Sequence, residues 1–303
     1  MSKEYNPDFE LAAVVARIQE LDPHGERIAR TLRQTLDQLY DGQHTGRYRW
    51  DQLHKTEKTH CGTLVEINLC REFQFDDGAQ MDYRIAEADV DCKYSQSKWG
   101  WMIPIEAMGH LCLLLCADDP SSTWSMGVVR IRDEILSSGG NRDSKRTIVA
   151  AGRTSIRWLF EDALLPPNIL LHLPRATVDA IMEMNSGQKR INQIFRVAQG
   201  KRIGRGVIAT LGQQDDFMKR VRGNGGARSD LKAEGIMILG HYDEHRRIAQ
   251  GLGLPIPDKG ELVSVRVART RSAGEGVVKI AAQYWRVANE SDPPTAAPNY
   301  SHH

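Results

Sequence analysis

Residues 81–94 read Met81-Asp-Tyr-Arg-Ile-Ala-Glu-Ala-Asp-Val-Asp-Cys-Lys-Tyr94. Val90 and Cys92 alternate with Asp91 and Lys93, the two-residue period of a strand with one polar face. That period aims the Asp91 carboxylate and the Lys93 ammonium at the same side. Asp82 lies on the preceding run, and a turn at Glu87-Ala88 is expected to fold that run back as a hairpin. Two carboxylates and a lysine then meet at one sheet edge. Hard oxygen donors of this kind suit Mg²⁺, which takes one or two protein carboxylates plus water and phosphate oxygens. A lysine beside them positions a water or offsets charge growing on a phosphate. A solvent-facing strand with a surface salt bridge also satisfies the triplet, so the rest of the chain has to separate the two readings.

On the N-terminal side the pattern is helical. Leu11, Val14, Val15, Ile18 and Leu21 form one apolar stripe, and Ile28, Leu32, Leu36 and Leu39 form another beyond Asp22-Pro23. A third helix is expected over Thr59–Phe73 with Glu66 at its middle. On the C-terminal side, strands are expected at 80–86 and 88–95, then over the apolar run 110–117 and Trp124–Ile131. The first half is therefore a mixed sheet with flanking helices. Residues 137–146, Ser-Ser-Gly-Gly-Asn-Arg-Asp-Ser-Lys-Arg, form a polar excursion. Pro166-Pro167 marks the boundary, which divides the chain into a first domain over 1–160, a linker over 161–167, a second domain over 168–290 and a disordered tail over 291–303.

With 303 residues, 41% apolar and 26% charged, the chain has the composition of a soluble globular protein large enough for two cores. Neither a span of ~20 apolar residues nor a signal-peptide pattern is present, so a cytoplasmic protein without membrane contact is expected. Five cysteines without a Cys-x-x-Cys pair read as reduced thiols. Cys112 and Cys116, in an apolar run, read as core filler.

A net charge of +1 conceals an asymmetry: residues 1–173 carry −6, residues 174–290 carry +8, and the tail carries −1. Most of the basic excess falls within 185–232, with 11 Lys/Arg against 3 Asp/Glu. A localised positive face is the footprint of a nucleic-acid partner, although a merely solvated face has the same counts. Helices at 176–184 and 188–199, a Gly-flanked segment 204–212, a charged helix over Gln213–Val221, and strands at 235–240, 261–268 and 276–287 resemble a winged helix-turn-helix. Residues 206–211 read equally as a strand. Lys189, Arg190, Lys219, Arg220, Arg222 and Arg228 are its candidate DNA contacts, arginine for guanine edges and lysine for phosphates. Asp215 and Asp216 either accept from cytosine amino groups or cap the helix.

Five segments together carry a family resemblance: Thr35–Arg47, Asp51–His60, Thr63–Leu69, Val90–Lys93 and Gln213–Arg222. They closely resemble the NaeI-type, type IIE restriction endonucleases, with the likeness running from about residue 11 to about 287. The resemblance implies an α/β, or α+β, two-domain fold. Its first domain is a PD-(D/E)xK endonuclease and its second resembles the catabolite activator protein. It also implies a homodimer that binds two copies of a palindromic site, GCCGGC, in double-stranded DNA, cleaving one and using the other as allosteric activator. A cognate DNA methyltransferase is implied in the same cell, outside any complex. Carried over, the active site falls on Glu66, Asp82, Asp91 and Lys93, with Met81 where the generic motif has proline. Asp82, Asp91 and the Cys92 carbonyl are the implied Mg²⁺ ligands. Like charges crowded there should resist full ionisation without metal.

Leu39-Tyr-Asp41-Gly42 is similar to the Lys-x-Asp-Gly signature of ATP-dependent DNA ligases, but leucine replaces the nucleophilic lysine and supplies no amine for an adenylate. The alternative for these residues is a helix ending at Tyr40 and capped by Gly42. For the whole chain, the rival reading is a non-catalytic winged-helix DNA-binding regulator. It expects Asp82 and Asp91 to lie too far apart to share an ion, more than about 8 Å.

Overall fold

The computed structural model describes residues 8–300. Contacts divide the chain into two compact units, one comprising 1–39 and 53–166 and the other 40–52 and 167–303. The second unit thus includes a short segment from the N-terminal third of the sequence.

In the first unit, helix α1 (Phe9–Leu21) starts where the Asp8 carboxylate accepts from the Leu11 amide at 3.0 Å. Its apolar stripe buries Val14, Val15 and Ile18. Helix α2 (Glu26–Tyr40) buries Ile28, Leu32, Leu36 and Leu39 at the expected spacing. The helix α4 (Lys55–Phe73) starts earlier than the apolar pattern suggests, because Glu57 reaches back to the His54 amide at 2.8 Å. Five strands follow: β1 (Tyr83–Ile85), β2 (Ala88–Ser95), β3 (Leu111–Asp118), β4 (Thr123–Arg130) and β5 (Arg157–Leu164). They lie in sequence order across one sheet, with β2 and β3 parallel and the other pairs antiparallel.

Strand β5 lies within and beyond the expected 160 boundary. Its sequence, Arg-Trp-Leu-Phe-Glu-Asp-Ala-Leu, lacks a two-residue apolar period, and bulged pairing with β4 at the sheet edge tolerates that irregularity. The β1–β2 turn is also displaced by one residue. Ala86 and Glu87 both take positive φ (48° and 65°) between the paired Ile85 and Ala88, so neither the Glu87-Ala88 turn nor a glycine is used.

In the second unit, α3 (Gly42–Thr45) packs on α7 (Arg205–Gly212), while α5 (Arg175–Met182), α6 (Gly187–Val197) and β6 (Arg202–Gly204) share their apolar core. Residues 206–211 are helical, which removes the strand alternative. The expected α-helix over Gln213–Val221 is a single 3₁₀ turn, Phe217–Val221. Gln213 is left-handed (φ 47°) and ends α7, and the residues up to Asp216 form a turn. Next come α8 (Ala227–Asp230), β7 (Ile236–Leu239), α9 (Asp243–Gly251), β8 (Glu261–Thr270), β9 (Val277–Ile280) and β10 (Gln283–Val287). The second sheet runs β6-β8-β10-β9, with β7 also on β8.

Residues 291–300, expected to be disordered, are tied down. Asp292 takes both guanidinium nitrogens of Arg286 at 2.7 Å, Ala297 is buried, and the Tyr300 hydroxyl accepts from the Ile238 amide at 3.0 Å. Apolar contacts of Ala297 and Tyr300 offset the ordering entropy that their Pro- and Ala-rich composition concealed. Residues 301–303 of the expected tail lie outside the described residues. Among the described residues no helix is long and apolar enough to cross a membrane.

Candidate active site at the hairpin edge

Continuing the β1–β2 register one step past the Tyr83↔Val90 pair brings Asp82 opposite Asp91. The Asp82 carboxylate does not pair across the ladder but caps it: its Oδ2 accepts from the Cys92 amide at 2.7 Å. Lys93 Nζ then lies 2.6 Å from Asp91 Oδ1, 3.0 Å from the Cys92 carbonyl and 3.6 Å from Asp82 Oδ2. One ammonium therefore touches three oxygens that belong to both hairpin strands. Two carboxylates within reach of a single ammonium lie closer than the ~8 Å separation that sharing an ion would forbid.

The alternation read from sequence understates the burial. Strand β2 buries Val90, Asp91 and Cys92 in succession, and Asp91 is only 5% exposed. Its polar face is covered because Asp91 pairs with Cys112 on β3, in a cluster with Leu114, Val129, Ile131 and Trp101. Cys112 is more than filler: its thiol donates to Asp91 Oδ2 at 3.6 Å. Burial, then the charge of Asp91, raise its pKa well above the ordinary thiol value and keep that donor protonated. A salt bridge on a solvated strand does not describe this arrangement.

Glu66 comes from α4, whose backbone is fixed to the hairpin by the Tyr83 hydroxyl donating to the Glu66 carbonyl at 2.7 Å. Burial, reinforced by the Asp82 charge, raises the Glu66 pKa, and Lys93 offsets part of that. Burial also raises the Asp91 pKa, against the pull of Lys93 and with a further push from Asp82. For Lys93, burial favours the neutral amine, but the attraction and hydrogen bond of Asp91 win and its pKa rises. Three carboxylates around one ammonium form a cluster that is short of positive charge.

Among the described residues no three His, Cys, Asp or Glu side chains group as a metal cage. The available donor set is two carboxylates and the Cys92 carbonyl, all hard oxygens and already arranged around a cation. That set fits a Mg²⁺ that keeps several waters.

Sequence-expected DNA contacts of the second unit divide sharply. Arg190 donates to the carbonyls of Leu211 at 2.6 Å and Met184 at 2.8 Å, so it ties α6 to the end of α7 and is not available to a phosphate. Arg220 is held by Gln214 Oε1 at 2.8 and 2.9 Å, and Arg228 donates to the Ile238 carbonyl at 3.0 Å. Lys219 pairs with Asp216 on the surface, while Lys189 has only a 3.4 Å contact with Asn185. Arg222 is exposed and its side chain has no partner among the described residues.

The ligase-like residues are explained by packing. Asp41, not Gly42, takes the left-handed conformation (φ 48°) that ends α2, and its carboxylate pairs with His44 Nδ1 at 2.6 Å. Gly42 starts α3, where a Cβ would clash with Thr210 Oγ1. Leu39 is a buried α2 core residue.

Two comparisons with known proteins agree with one another. The sequence profile of the family described as restriction endonuclease NaeI matches residues 12–296. A curated relative, the Type II restriction enzyme NaeI of Lentzea aerocolonigenes, is 50% identical over an alignment that covers 96% of this chain and 94% of that protein.

Proposed function

The chain belongs to the NaeI family of Type II restriction endonucleases, and from that premise we propose that it makes Mg²⁺-dependent double-strand cuts at the hairpin edge of the first unit. Support comes above all from Lys93 Nζ sitting against oxygens of Asp91, Asp82 and Cys92. Asp82, Asp91 and the Cys92 carbonyl are the residues to hold Mg²⁺, which when bound polarises the scissile phosphate and acidifies water. Lys93 orients the attacking water and balances charge on the phosphate oxygens. Glu66, whose raised pKa favours proton uptake, accepts a proton from that water or steadies Lys93. In-line displacement of the 3′ oxygen leaves 5′-phosphate and 3′-hydroxyl ends.

A palindromic target, for which GCCGGC is the proposal, calls for a two-fold dimer with one such edge on each strand. The second unit, a winged-helix-like module with its basic excess, is proposed to hold a second copy of the site as activator. The regulator reading loses ground because a regulator needs no buried carboxylate–lysine cluster. Digestion of a sequenced plasmid with and without Mg²⁺, followed by end sequencing, tests the proposal. Discrete 5′-phosphate ends at one palindrome that vanish in Lys93→Ala are expected. Equal cutting by Lys93→Ala overturns the assignment. Short duplexes carrying the site should also speed cutting of a poorly cleaved plasmid.

A further inference from the structure

The first unit is acidic, and among the described residues six of its twelve arginines pair with carboxylates, including Arg27 with Glu72, Arg33 with Asp119, Arg84 with Glu87, and Arg130 with Asp8 and Glu10. The excursion 137–146 is different. Residues 141–145 are all exposed, and the side chains of Arg142, Asp143 and Lys145 have no partner among the described residues. Yet its backbone is firmly built. Asn141 Oδ1 accepts from the amides of Asp143 and Lys145, both at 2.9 Å, and the Asn141 amide donates to the Lys145 carbonyl at 2.9 Å.

The root of this finger is braced on both sides. Arg146 pairs with Asp133 at 2.6 Å, and its backbone exchanges hydrogen bonds with Ile103 at 2.8 and 2.9 Å. Leu136 and Ile148 bridge across the base and are buried with Cys112 and Leu114. That cluster covers the sheet face carrying Asp91 and Lys93, because Asp91 pairs with Cys112 and Lys93 with Leu114. A polar tip, hydrogen-bonded within itself and braced at its root, therefore rises from the same sheet face as the proposed catalytic pair.

The signs of the tip charges determine what it meets. A phosphate grip is made by cations, amides and hydroxyls, and a carboxylate set among phosphates is repelled. Base edges in a major groove present acceptors and donors together: guanine O6 and N7 match arginine, and the cytosine amino group matches a carboxylate. We infer that the 137–146 finger is the base-reading element of the catalytic unit, with Arg142 directed at guanine and Asp143 at cytosine. This rests on the endonuclease reading above.

The experiment compares wild type, Arg142→Ala, Arg142→Lys and Asp143→Asn on duplexes in which each base pair of the cleaved site is changed singly. Cleavage rates, the salt dependence of kcat/KM and melting temperature are recorded. Arg142→Ala and Arg142→Lys are expected to lose about 10- to 100-fold on the intact site and to stop discriminating at one guanine position. Asp143→Asn is expected to relax selection at one cytosine position, and the melting temperatures should stay put. Uniform loss on every duplex with a shallower salt slope, rescued in Arg142→Lys, would mean a phosphate contact and overturns the inference. Unchanged selectivity in all three variants overturns it too. If wild type cuts no site specifically, the endonuclease reading itself fails, a result distinct from either.

Discussion

The two units handle charge in opposite ways. The acidic first unit concentrates negative charge at one edge, where Asp82 and Asp91 face one ammonium and each other. The basic second unit uses several of its arginines internally. Arg196 grips Glu234 through two nitrogens at 2.7 and 2.8 Å, Arg286 grips Asp292, and Arg190 serves two carbonyls. A charge count along a sequence therefore overstates the surface field of a unit whose cations hold its own backbone together. It understates the field at a site where a few like charges are forced close.

The largest effect that sharpens this contrast belongs to the first unit. Asp82→Ala removes both a carboxylate from the oxygen set and the cap on the Cys92 amide. Its single-turnover cleavage rate should fall by at least about 100-fold while DNA binding persists, the scale of losing one transition-state contact. Proton uptake gives a second handle. Since Glu66 and Asp91 are both raised and must be ionised to work, the cleavage rate should rise with pH. At subsaturating Mg²⁺, where the metal-free carboxylates set the profile, its acidic limb should lie above the ordinary carboxylate range, and a limb at ordinary carboxylate pH would break the contrast.

In the second unit, stability should respond more than chemistry. Gly42→Ala forces a methyl group onto Thr210 and should cost about 1–3 kcal/mol in urea unfolding, with partial rescue by Thr210→Ala. Arg190→Ala strands two carbonyls and should cost about 1–2 kcal/mol, whereas Arg222→Ala should lower affinity for DNA and leave stability untouched. If Arg190→Ala instead weakened DNA binding without lowering the melting temperature, its inward role would be refuted. Smallest is Asp292. Its pKa is lowered to about 2 by Arg286, so the stability it confers is present above the ordinary aspartate pKa and is lost as pH falls toward that value. Asp292→Asn should speed amide exchange in 292–300 and little else.

Sequence periodicity carried the helices α1, α2 and α4 and the order of β1 to β4, because each has one buried face and a regular repeat. The convergence of Asp82, Asp91 and Lys93 was legible from the hairpin alone. What lay outside that reach depends on partners distant in sequence. Cys112 meets Asp91 only through a parallel pairing, and the covered polar face of β2 needs the 99–156 segment laid over it. The Ala86-Glu87 turn carries no glycine to announce it, and Asp41 does the work that Gly42 advertised. Arginine identity does not reveal whether a guanidinium faces carbonyls or solvent, so Arg190 and Arg222 looked alike.

Residues 40–52 lie with the second unit although all of 53–166 intervenes before that unit resumes. During synthesis this segment leaves the ribosome long before α7 exists to receive Gly42. Its native neighbours arrive only after the entire first sheet has been made, a late long-range closure of the kind that slows folding. A gene cut at the Pro166-Pro167 junction would not yield an intact second unit. The two halves are thus poor candidates for exchange as separate modules cut at that junction.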